Sequence, residues 1–317
     1  MKIGCCGILV EDIFCGPMRE LPKEGHLLVL DDMPVKAGGC AANIAIDLAK
    51  QGWAVEVSGC VGQDVSADMI VACLQKFKIG CTGIVRLEGF QTSKTVILLI
   101  EGHDRRYLHI FGANQAFAVK HIDRDWLKSL DVFYLGGLGI LPALEMGELE
   151  ELLKFCRREK ITTVVDVVVP QVWAEAEKLP RLLPYIDFFL PNCDEAEQIT
   201  GHTVPLEQVR AFLAAGAQTV VVTQGKNGAI AARGDSYWQC GAYPAADIDS
   251  SGAGDAFSAG IITGIARGWE MPETLRYASA LGASATRAIG TTDGVFTSSE
   301  TGDFIAAHAL PMSSGHF

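Results

Sequence analysis

Apolar runs rich in β-branched residues alternate with stretches of helical period over most of the chain. The strand-like runs are residues 2–9, 54–60, 132–135, 162–169, 188–190 and 219–223. The helical stretches are 41–51, 66–77, 145–159, 206–215 and 256–266. These strands are apolar on both faces, the pattern of a sheet covered on each side by helices. The order predicts an α/β three-layer sandwich around a mainly parallel central sheet. Two segments break the rhythm. Residues 16–37 read as extended, with Pro17, Pro22 and Pro34, and residues 92–110 read as a hairpin turning at Gly102-His103-Asp104. They predict a small β-strand lid, inserted at about 13–37 and 90–112, over one end of a single domain spanning 1–317. Within 95–100, Val96, Leu98 and Ile100 share one face and Thr95, Ile97 and Leu99 the other. Both faces are largely apolar, so a homodimer joined through the lids is expected. Residues 311–317 are expected to fray.

Composition narrows the function. Asp and Glu number 38 against 26 Lys and Arg, giving a net charge of −12. That balance offers no general attraction for nucleic acid or an anionic membrane. No apolar stretch approaches the roughly 18 residues of a membrane span, and the first residues lack the h-region of a secretion signal. None of the ten cysteines forms a CxxC pair, so a zinc knuckle has no support and reduced thiols in a cytoplasmic protein are expected. Walker A, GxGxxG, HExxH and GxSxG are all missing. Glycine is in excess, 34 of 317, where about 7% is ordinary; its clusters mark where backbone shape matters.

One cluster is Gly38-Gly39-Cys40-Ala41-Ala42-Asn43, leading into an apolar helix. It reads either as a close backbone approach to a ligand at a helix start or as a tight turn with a capping Asn. The second is Asp249-Ser250-Ser251-Gly252-Ala253-Gly254-Asp255-Ala256-Phe257. Gly-Ala-Gly before a helix presents successive N–H groups to developing phosphate charge, and Asp255 in the first turn can take a proton from an attacking hydroxyl. A plain turn with a helix-favouring acid leaves Asp249 unexplained. Asn192 and Glu195 follow the strand 188–190, where ligands gather in open sheets, although such an Asn is more often an N-cap, with the Glu as its capping-box partner. Thr223, Gly225 and Gly228 shape a turn that is either a hairpin or a phosphate wrap, and Asp12 is an acid suited to sugar hydroxyls or to starting a turn.

In order and together, these residues resemble the ribokinase-like, PfkB-type carbohydrate kinases over residues 3–295. Gly38-Gly39 with Asn43 is similar to the family's amino-terminal signature, and 249–257 to its carboxyl-terminal one, with Ser250 where Thr is usual. The resemblance implies ATP-dependent phosphorylation of a hydroxymethyl group on a sugar or nucleoside. It implies Asp255 as base and Gly252, Ala253 and Gly254 as anion hole. Asp12, Gly38, Gly39 and Asn43 would hold substrate, and Asn192, Thr223, Gly225 and Gly228 would bind ATP. Glu195 would act on Mg²⁺ through water, and Asp249 with Ser251 on a monovalent cation, K⁺. Two departures concern the substrate. No acid follows Leu135-Gly136-Gly137, where ribokinases carry a sugar-binding Glu, and Asp166-Val167-Val168-Val169-Pro170-Gln171 replaces the common DxNxR. Arg105 or Arg106 in the lid either faces an acidic or phosphorylated substrate or is a strand-exposed arginine. A sugar- or nucleotide-binding regulator without turnover would lack the base or the anion hole, and both are in place here. A nicotinamide oxidoreductase lacks its fingerprint.

Overall fold

The computed structural model describes residues 1–317 apart from 104, 171–172, 174–175 and 245–247. The chain opens with β1 (Lys2–Gly7), β2 (Val10–Met18) and β3 (Val35–Gly38), then α1 (Cys40–Lys50), β4 (Ala54–Val61), α2 (Val65–Lys76) and β5 (Gly80–Arg86). The hairpin β6 (Ser93–Ile100) and β7 (Arg106–Ile110) precedes α3 (Arg124–Lys128), β8 (Val132–Leu138), α4 (Met146–Arg158) and β9 (Thr162–Val167). Next come β10 (Phe188–Phe189), α5 (Cys193–Thr200), α6 (Pro205–Ala214), β11 (Thr219–Thr223), β12 (Ala229–Arg233) and β13 (Ser236–Cys240). The chain closes with α7 (Ala253–Arg267), α8 (Met271–Ala285), α9 (Ser298–Ala307) and β14 (Met312–His316).

Two sheets result. The main sheet runs β14-β13-β12-β11-β10-β9-β8-β1-β4-β5, parallel from β11 to β5 and antiparallel through β12, β13 and β14. Its strands bury both faces: Ile3, Val57 and Val221 belong to one apolar layer with α1, α2, α7 and α8, while Cys6, Phe133 and Val220 belong to the opposite layer with α4 and α6. This is the three-layer α/β arrangement that continuous apolar strands require. The second sheet is the lid, ordered β3-β2-β6-β7, with only β2–β6 parallel. Asp64 fastens the lid's base: it caps α2 through the Ala67 N–H and accepts the Thr92 N–H at 2.7 Å.

Several expectations need correction. The first strand ends at Gly7, whose φ of +139° turns the chain out of the main sheet, and Val10 starts a lid strand. Residues 19–34 are largely irregular and exposed; their prolines give an extended look without a ladder partner. The 311–317 tail does not fray: β14 pairs with β13, and Phe317 is held between the Tyr237 ring and the Arg210 guanidinium. The hairpin turn falls where expected at Gly102 and His103, while Asp104 and Gln171 lie outside the described residues.

Candidate active site

The main sheet's carboxyl edge and the lid enclose a cavity of about 620 Å³. Two helix starts form its floor. At α1, Gly39 takes φ +87°, and a Cβ there would strike the Ile8 carbonyl. At Gly38 a Cβ would strike the Asp12 carboxylate, so the paired glycines let β3 pass flat against Asp12. At α7, Gly252 is the left-handed N-cap, φ +76°, with no room for a side chain against the Thr291 carbonyl. Gly254 differs: nothing lies within 4 Å of where its Cβ would be, so it faces open cavity.

These two starts are joined through side chains. Asn43 donates from Nδ2 to Asp255 Oδ2 at 2.8 Å, and its Oδ1 accepts the Thr291 hydroxyl at 2.7 Å. Asp255 is thereby fixed in rotamer and aimed across the cavity. Burial raises its carboxyl above the ordinary range, against the pull of hydrogen bonds from Asn43 and Cys40. Asp12, on β2 of the lid sheet, is pushed up to about 7 by burial, with Thr95 opposing and Asp255 adding.

The remaining sequence-derived residues fall in four groups. Asn192 and Glu195 make the expected capping box at α5: Asn192 Oδ1 accepts the Glu195 N–H at 2.9 Å, and Glu195 Oε2 accepts the Asn192 N–H at 2.8 Å. Both also line the cavity, so the cap and the ligand reading coexist; burial raises Glu195 to about 7. Thr223 lines it too, whereas Gly225 and Gly228 shape the β11–β12 hairpin beyond it with φ +53° and +91°. Asp249 is buried behind the loop: its carboxylate accepts the Ser251 N–H at 2.9 Å and the Gly290 N–H at 3.0 Å, knitting two loops together. Ala253 does not line the cavity, and its N–H points to the Ser250 carbonyl at 3.3 Å.

Other cavity residues, apart from Arg105, were not selected from the sequence. Asp166 accepts Tyr134 O–H at 2.7 Å and Gly137 N–H at 3.0 Å, and burial drives its carboxyl well up. An acid ending an otherwise apolar strand, TTVVDV, was the available signal. Cys40 opens α1 beside both carboxylates. From the lid come Arg105, Tyr107, His109 and Phe111. Arg105 donates to Ser251 Oγ at 3.2 Å, so the lid reaches the α7 loop; His109 Nδ1 lies 3.0 Å from Thr95 Oγ1.

The pattern of pfkB family carbohydrate kinases matches residues 5–297. The chain belongs to that family. An ATP-dependent 6-phosphofructokinase of Thermoanaerobacterium thermosaccharolyticum is 25% identical over 260 residues, 80% of each chain. The adenosine kinase of Saccharomyces cerevisiae is 25% identical over 287 residues, 84% of this chain and 82% of that protein. Among solved structures, Arabidopsis thaliana ribokinase complexed with ribose and ATP superposes with a TM-score of 0.80 at 22% identity, covering 96% of this chain and 98% of that one. The ribokinase fold, with its lid, is therefore shared by this carbohydrate kinase. Among the described residues no helix is long and apolar enough to cross a membrane.

Proposed function

We propose that this kinase transfers the γ-phosphoryl group of ATP to a hydroxymethyl group of a sugar or sugar-like substrate, with Asp255 as general base. The observation that carries the reading is the placement of Asp255. Its carboxylate is locked by Asn43 at the start of α7, inside a cavity that also presents Gly252, Gly254 and the lid. In the transfer, the substrate oxygen forms a bond to the γ-phosphorus, the bond to the bridging oxygen of ADP breaks, and Asp255 takes the hydroxyl proton. The N–H groups at Gly252 and Gly254, unpaired in a helix's first turn, face the charge on the transferring group. Asp12, Gly39 and Asn43 hold the acceptor's hydroxyls, and the lid excludes water.

Asn192 and Thr223 bind the nucleotide, with the Gly225–Gly228 turn beside it. The half-buried Glu195 carboxylate suits a hard divalent cation held through water. Mg²⁺ bound there with ATP supplies charge neutralisation at the phosphates. The 249–251 and 290–291 loops, tied by Asp249, offer main-chain oxygens suited to K⁺. The ten cysteines, all free thiols, fit a cytoplasmic protein, and residues 1–317 form one ribokinase-like unit. A nucleoside acceptor is the second reading, favoured by the aromatic wall of Tyr107, His109 and Phe111 on which a base can stack.

The test is a panel of sugars and nucleosides with MgATP, following ADP and the phosphorylated acceptor together. One member of the panel is expected to yield both in equal amounts, with a higher rate in potassium than in choline salt. Binding without turnover across the panel points instead to a regulator. Equal rates in the two salts remove the K⁺ site alone.

A further inference from the structure

Cys40, Asp166 and Asp255 come from three separate elements, yet one ligand atom from each lies within 4.8 Å of the others. Among the described residues this is the one such trio of potential metal ligands. All three line the cavity, so an ion has a path from solvent and the cavity leaves room for a further, non-protein ligand. We propose that these residues form a binding site for a thiophilic divalent cation, of the Zn²⁺ class, which blocks the kinase by engaging its base.

The chemistry of the donors selects the ion. A thiolate with two carboxylates suits Zn²⁺ or Co²⁺, whereas Mg²⁺ takes oxygen ligands in octahedral geometry. Zinc bonds of about 2.3 Å to sulfur and about 2.0–2.2 Å to oxygen place tetrahedral ligand atoms roughly 3.3–3.8 Å apart. The trio therefore needs to close by about 1–1.5 Å at most. Its carboxylates are already oriented from behind: Asp166 by Tyr134 and Gly137, Asp255 by Asn43. Such outer partners fix ligand direction at metal centres. Cys40 is the first residue of α1, where the helix start favours a thiolate. Burial and the charges of Asp255, Asp166 and Glu195 oppose ionisation of that thiol without a cation. A dication removes the opposition, and the protons held by the trio pass to solvent on binding. No electron is transferred. With Asp255 ligated, its lone pair is no longer available to a substrate hydroxyl.

The site is tested on the full chain, stripped with chelator, by titration with Co²⁺ alone. This readout stands whether or not any sugar is phosphorylated, so it is independent of the kinase reading. One equivalent is expected to bind with a thiolate-to-Co²⁺ charge-transfer band that Zn²⁺ abolishes by displacement. Cys40→Ser should remove the band, Cys73→Ser should keep it, and Asp166→Asn should weaken Co²⁺ affinity roughly tenfold or more. Folding of each variant is checked by circular dichroism. Should Cys40→Ser not fold, the wild-type protein decides: Zn²⁺ must slow alkylation of Cys40, read by peptide mass, and leave Cys73 unchanged. A folded wild type with no thiolate band, a band that survives in Cys40→Ser, unchanged affinity in Asp166→Asn, or unprotected Cys40 each overturns the site.

Discussion

Asp255 and Asp47 sit on neighbouring helices, α7 and α1, and burial raises both carboxyls. In the proposed transfer the shift suits Asp255 as base, because a raised pKa makes the carboxylate a better acceptor at neutral pH. Asp255→Asn keeps the size and the link to Asn43 while removing the acceptor. It should fold and bind nucleotide normally and lose about 10²–10⁴-fold in kcat; a loss under tenfold in steady-state assays overturns its role as base. Asp47 has no such employment. It is fully buried, and neither carboxylate oxygen has a hydrogen-bond partner among the described residues. Burial raises its carboxyl well above the ordinary value, and the Lys50 charge only partly counters this. A raised folded-state pKa means that the folded protein holds this proton more tightly than the unfolded chain. The associated stability is complete below the unfolded value and declines as pH rises through the folded one. Asp47→Asn should therefore stabilise at pH 7 by about 1–3 kcal/mol, with the gain fading toward acid pH. Thermal melts at several pH values check this, and a pH-independent difference refutes it.

The two helix starts differ in how legible they were. At α7 the pattern is contiguous: Gly252, Gly254 and Asp255 lie within four residues, and a single stretch of sequence places a glycine-flanked helix start beside an acid. The lid was legible as an interruption of the α/β rhythm, and the capping box at Asn192 as a local pattern. What was not legible is assembled across elements. Cys40, Tyr134 and Asp166 meet only because β8, β9 and α1 are adjacent in the fold, and no local spacing encodes that. β14, with the sequence MSSGH, has no hydrophobic period at all; its conformation is imposed by β13. The glycines of α7 were legible as a pair but not individually, and the structure separates them. Gly252→Ala places a side chain at φ +76° against the Thr291 carbonyl, so it should lower stability by about 1–2 kcal/mol and shift the melt. At Gly254 an added Cβ enters open space, so Gly254→Val starts into the cavity. It should leave the melting temperature nearly unchanged, apart from the propensity gain over glycine, and depress kcat more than KM by occupying the seat of the transferring group. A Gly254→Val protein that melts early, or in which only KM rises, overturns this division.

At the scale of the whole molecule, the open question is what covers the lid's outer side. Its inner face is already buried: Phe14, Ile97 and Leu99 pack as a cluster with Ile289. The outer face of its middle strands is partly covered by the chain itself, since Leu30 packs with Cys15, Met18 and Ile100. Both apolar faces of β6 therefore find partners within one chain, and the case for a second copy moves to the edge. Strand β7 is exposed along its whole length. Tyr107 and His109 turn toward the cavity, which leaves the alternate residues Leu108, 64% exposed, and Ile110, 40% exposed, facing outward. A strand at the sheet edge with outward leucine and isoleucine is a template for another strand. We propose that β7 is where two lids meet, each copy covering this edge of the other. A stable pair needs about 800 Å² from each partner, more than one five-residue edge supplies. Leu27, 89% exposed, and Val29, 80% exposed, in the segment between β2 and β3 offer an apolar supplement. Light scattering at micromolar concentration should return about twice the 33.9 kDa chain mass. Leu108→Lys, which charges the edge without touching the cavity face, should return a single chain mass with an unchanged circular dichroism spectrum. A wild type that scatters as one chain, or a Leu108→Lys protein that remains double, rules out the β7 clasp.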